Sequence, residues 1–151
     1  MPWAIGGHQY PYKPADESIT ESTVLQDDDH LKFDVLSGEV WVWNIHGGID
    51  VESATPDLQM AMNGPAFSHL CMDMHVHEHV AIVGDPEDLK DAWNDPLDVN
   101  YSAGGVDVFD LFGCATFTAD GTVVFRWGPI NNSVDYVKIR QGSRILAVRV
   151  A

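Results

Sequence analysis

Basic residues are scarce in this 151-residue chain: four lysines and four arginines face 23 acids, 17 of them Asp, for a net charge of −15. Binding to DNA, RNA or anionic lipid depends on clustered Lys and Arg, so this balance excludes a nucleic-acid or membrane-surface partner. Cysteine is nearly absent as well. Cys71 and Cys114 do not make a disulfide framework, and both stand in apolar, strand-like segments that read as sites for small buried side chains. No apolar run approaches the roughly 18 residues of a membrane helix, and the opening "MPWAIGGHQYPYKP" has neither the basic nor the apolar region of a secretory signal. The sequence thus shows no address, and the expected setting is a virion or other extracellular assembly, or otherwise the cytoplasm.

Catalytic motifs are missing too. There is no Gly-rich phosphate loop, no nucleophile elbow and no paired-cysteine motif.

The charge that is present is unevenly placed. Residues 1–121 hold 22 acids and three bases, whereas 122–151 hold five bases (Arg126, Lys138, Arg140, Arg144, Arg149) and only Asp135. A basic C-terminal hairpin on an acidic body either neutralises its own neighbours or docks an acidic partner, including another copy of the chain. The Asp-rich, Lys-poor composition also resembles that of proteins from extreme halophiles, in composition only.

Period-two alternation runs through most of the chain and predicts mainly antiparallel β-structure. Leu31, Phe33 and Val35 alternate with Lys32 and Asp34, and Trp41, Trp43 and Ile45 with Val42 and Asn44. Turn pairs such as Ser37-Gly38, Asp120-Gly121 and Gln141-Gly142 separate the apolar runs. The expected fold is all-β: an antiparallel β-sandwich, jelly-roll-like, or a barrel, of about eight strands. One short helix is expected over 85–96, with Asp85 as cap, Pro86 in the first turn, and Leu89 and Trp93 packing inward. Residues 1–17 carry Trp3, Tyr10 and Tyr12 without periodicity and read as an extended arm lying on its own domain or on a neighbour; residues 18–151 read as one β domain.

The densest chemistry lies in "CMDMHVHEHVAIVG", residues 71–84. On a strand, Asp73, His75, His77 and His79 share one face while Met72, Met74 and Val76 take the other. Two imidazoles two residues apart, about 6.6 Å by strand rise, can converge on one ion, whereas His75 and His79 are about 13 Å apart. His75, His77 and His79 are thus the candidate metal ligands for a divalent ion, with a further ligand needed from His46, His69, His30 or Asp73. His75 and His77 resemble the histidine pair of the cupins, a resemblance that implies a metal-binding β-barrel enzyme. The cupin Gly and Glu positions around that pair hold His69 and Ala81 or Ile82 here.

"QDDDH", residues 26–30, offers Asp27, Asp28 and Asp29 for a cation, but lacks the spacing and Gly of a calcium loop and reads as a solvated turn. The tryptophans Trp3, Trp41, Trp43, Trp93 and Trp127 read as core packing rather than a stacking platform.

Three functions fit these observations. The first is a non-enzymatic structural protein, a virion subunit of capsid-decoration, turret or spike-base type, possibly from a halophilic system and joined to other copies through Trp3, Tyr10, Tyr12, Lys138, Arg140, Arg144 and Arg149. The second is a metal-binding, cupin-like barrel using the histidine row. The third is an acidic domain for a basic or carbohydrate partner.

Overall fold

Where apolar and polar residues alternate, the backbone extends and pairs, and in the computed structural model nearly every such run is a strand. The described residues are 7–77, 82–83 and 87–151. In chain order the strands are β1 (His8–Gln9), β2 (Glu17–Ile19), β3 (Gln26–Val35), β4 (Val40–Val51), β5 (Leu58–Asn63), β6 (Phe67–His77), β7 (Ile82–Val83), β8 (Glu87–Lys90), β9 (Leu97–Tyr101), β10 (Gly105–Phe117), β11 (Gly121–Gly128), β12 (Val137–Ile139) and β13 (Arg144–Arg149).

These strands form a β-sandwich of two antiparallel sheets. The larger runs β1-β13-β4-β10-β6-β8, with β12 also beside β4 and β2 beside β12. The smaller runs β3-β11-β5-β9-β7. The pairings β1 with β13, β3 with β11, β4 with β10 and β5 with β9 are nested, early strands with late ones, as in a hairpin rolled up on itself. That nesting is jelly-roll-like.

Strand parity decides what faces inward. Trp41, Trp43 and Ile45 of β4, Met72, Met74 and Val76 of β6, and Phe109 and Leu111 of β10 are buried against Leu31, Phe33 and Val35 of β3 and Phe125 and Trp127 of β11. Phe109 and Phe125 stack across the gap with ring centroids 5.2 Å apart, and Phe33 meets both Trp41 and Trp43 at 5.6 Å. Each such side chain contributes about 1.5–3 kcal/mol on burial. Gly113 makes room for this packing, since a Cβ there would stand 2.2 Å from the Trp43 ring. Gly142 turns the chain between β12 and β13 at a φ of 86°, a left-handed conformation that glycine adopts freely.

The helix expected over 85–96 does not form. Asp85 and Pro86 lie outside the described residues, and Glu87–Lys90 is instead β8, hydrogen-bonded along the edge of β6. An isolated helix of this length is marginal in water, whereas the long β6 offers a ready row of unpaired backbone groups. Leu89 is accordingly 72% exposed rather than turned inward. Trp93 does pack inward, but from a turn: its ring lies against Trp43, Phe67 and Phe117, and its indole N–H donates to the Pro65 carbonyl at 2.8 Å. Among the described residues there is no helix.

Residues 7–17 lie on the chain's own body. The Arg149 and Ile145 amides donate to the carbonyls of Gly7 and Pro11, and Lys13 and Ser143 are joined through the Lys13 amide at 2.8 Å. Lys13 then turns its side chain fully inside. Its ammonium is held by the Glu17 carboxylate and by Asp28 Oδ2 at 2.6 Å, and lies 5.9 Å from the centre of the Trp127 ring. Asp28 is buried too, accepting the His30 and Leu31 amides on Oδ1 and the Trp127 indole N–H on Oδ2. This ion pair clamps the N-terminal segment to the start of β3.

Candidate functional site

The outer face of the large sheet is built from the even-numbered residues of β4, β10 and β13 and the odd-numbered residues of β6. Register sets these side chains in rows across the strands. One row runs Arg144, His46, Asp110, His75. The next runs Leu146, Asn44, Phe112, Asp73, and the third Val148, Val42, Cys114, Cys71. The first row is polar, while the apolar side chains gather in the other two, beside Asn44 and Asp73.

In the polar row a single carboxylate serves two imidazoles. His46 Nδ1 lies 2.7 Å from Asp110 Oδ1, and His77 Nε2 lies 2.6 Å from Asp110 Oδ2. His75 packs beside His77 with ring centroids 4.4 Å apart and planes tilted by 44°. Burial pushes the Asp110 carboxyl up, but the bonds from His46 and His77 outweigh it and hold the group below the usual carboxylate range. Each imidazole binds this carboxylate with one nitrogen, so either ring gains an ion pair on protonation.

His75 and His77 therefore share the expected face, His46 joins them from β4, and Asp110, which sequence reasoning passed over, joins them from β10. Nothing in the local pattern of β10 marks Asp110; only the register of β4, β10 and β6 brings the four groups together. His79 lies outside the described residues. The nitrogens of His46 and His77 flank the carboxylate on opposite oxygens rather than converging on one point. His69 is on the same face, exposed, opposite Thr116. Asp73 stands in the second row beside Phe112, with one carboxylate oxygen buried and without a hydrogen-bond partner.

His30 belongs to β3 of the smaller sheet. Among the described residues, ligand atoms of Glu17, Asp28 and His30 lie within 4.8 Å of one another. The Lys13 ammonium already supplies the positive charge there. The "QDDDH" run is thus no solvated turn: Asp28 takes Lys13, and Asp27 takes Arg126 at 2.7 Å.

The apolar rows leave an open depression of about 420 Å³ on the surface, lined by Val42, Phe112, Leu146, Val148, Cys71 and Cys114. Phe112 is 56% exposed and Leu146 43%. The two cysteines are free; Cys71 is exposed and Cys114 half-buried, not the buried pair expected, because their neighbours Leu70, Met72 and Ala115 take the core face.

The residues expected at an interface divide into two groups. Tyr10, Tyr12, Arg140 and Arg144 are exposed, and neither arginine makes an ion pair among the described residues. Lys138 is engaged at home, 3.6 Å from Asp50, 3.9 Å from Asp16 and over the Tyr136 ring at 4.4 Å. Arg149 likewise binds Glu39 at 2.7 Å. Burial pushes the Glu39 carboxyl up, yet bonds from Arg149, the Leu36 amide and the Trp41 indole leave it lowered overall. Trp3 lies outside the described residues, while Trp41, Trp43 and Trp127 are core.

No protein-family model matches this sequence, and no characterised protein matches it. Among the described residues no helix is long and apolar enough to cross a membrane.

Proposed function

We propose that the protein is a non-enzymatic assembly subunit that docks onto a second copy of itself through the outer face of its large sheet. The observation that carries this reading is the apolar strip of Val42, Phe112 and Leu146, exposed together on a chain whose net charge is −15. An apolar patch rimmed by polar groups marks a surface that another molecule covers. Arg144, one row from Leu146, borders the strip without an internal carboxylate to satisfy it, and the acidic body of a second copy offers such groups in quantity. The contact thereby moves from the N-terminal segment, which over residues 7–17 is spent on its own sheet, to the sheet face.

Within this reading the assembly is a particle, with the chain as a capsid-decoration, turret or spike-base subunit, and the Asp-rich surface suits a high-salt habitat. Jelly rolls build viral capsids as well as lectins and cupins, so the fold is compatible with this role and does not carry it alone.

Light scattering of the full chain across protein and salt concentrations tests the proposal. A dimer or larger closed species is expected, reduced to monomer by Phe112→Asp with Leu146→Asp while the circular dichroism of the sandwich is retained. A wild-type monomer at both low and high salt would overturn it.

A further inference from the structure

Cys71 and Cys114 are each other's Cα partners across β6 and β10, both free, on the outer face of the sheet at the apolar depression. Directly opposed residues of an antiparallel pair have Cα atoms about 4.5–5.5 Å apart, inside the roughly 4.4–6.8 Å range that disulfides span. The backbone spacing is therefore within reach of a bond. Their Cβ atoms start about 4.5–5.5 Å apart, wider than the roughly 3.5–4.5 Å of a relaxed disulfide. Closure must draw the two strands inward, and a bond formed under such strain is easily reduced.

We propose that Cys71 and Cys114 are a reversible redox pair, oxidised by exchange with a small disulfide of the glutathione class. One thiolate attacks the small disulfide, forming a mixed disulfide and expelling one glutathione thiolate. The second thiolate then attacks the protein sulfur of that mixed disulfide and expels the other glutathione. One protein S–S bond is made, the small disulfide is reduced to two thiols, and the two cysteine protons pass to the released glutathiones. Cys71, the more exposed of the two, is the first attacker. The bond ties β6 to β10 and encloses the intervening chain, including β8 and β9. The pair does not depend on the assembly reading, although it lies on the face which that reading covers.

The test is to incubate the full chain with excess glutathione disulfide and follow free thiols and intact mass. Both thiols should vanish together, leaving a chain lighter by two hydrogens and free of glutathione, restored by dithiothreitol. Cys114→Ser should instead keep one glutathionyl group on Cys71. The same assay on the Phe112→Asp, Leu146→Asp chain separates this inference from docking: closure there supports the pair whether or not the wild type is shielded. Thiols inert in both chains, persistent glutathionyl adducts on the wild type, or bonds between chains would overturn it.

Discussion

Asp28 and Asp110 are each a carboxylate with two nitrogenous side chains as partners, placed in opposite surroundings. Asp28 is sealed inside with Lys13 and the Trp127 indole, while Asp110 stands on the sheet face between His46 and His77, both of which are about half exposed. The buried group has no water to fall back on, so losing its cation leaves a charge in a low-dielectric interior. The surface group keeps solvent as a substitute partner. Similar chemistry is thus a clamp in one place and a responsive contact in the other.

Removing the buried cation should have the largest effect. Lys13→Met keeps the volume and strands the Asp28 charge, and a loss of about 3–5 kcal/mol is expected in urea unfolding. Adding Asp28→Asn should restore much of it, because the penalty belongs to the unpaired charge; a double variant no better than the single would assign the loss to packing.

At the surface the expected change is smaller. Asp110→Asn should cost no more than about 1 kcal/mol near neutral pH. The direction of its pH dependence follows from the lowered native pKa. The contribution is whole above the ordinary carboxylate value of 3.8 and disappears as pH falls through the lower native value. Stability measured against pH should show wild type and variant converging on the acid side; a gap that persisted there would mean that Asp110 acts by shape rather than charge.

Salt separates the pair with the smallest effect of the three. At about 1 M, where the screening length is roughly 3 Å, the Asp110→Asn difference should shrink and the Lys13→Met difference should stay. If both shrink together, the Lys13 pocket is open to ions.

Much of the sandwich was legible in the sequence, because alternation is a local signal that burial enforces: Leu31, Phe33 and Val35 face inward as their pattern requires. The short helix was misread for the opposite reason. Its capping and apolar spacing were local too, yet the edge of β6, distant in sequence, offered Glu87–Lys90 a better set of partners. The candidate site was half legible. His75 and His77 could be placed on one face by counting, whereas Asp110 joins them through a pairing 33 residues away in sequence from His77. Asp28 reads from sequence as part of a solvated turn, and only the path of the N-terminal segment puts Lys13 against it.

The nesting of early strands with late ones also bears on how the chain reaches its native state. β1 cannot pair until β13 exists, and the Lys13 clamp needs Ser143 and Trp127 in position before the ammonium can be buried. Almost nothing in the large sheet is completed by neighbours in sequence, which places the protein among slow, high-contact-order folders. A chain emerging from the ribosome would hold β1 and β2 unpaired until β13 and β12 arrive, and during that interval self-repulsion among carboxylates keeps open strand edges from joining to other chains.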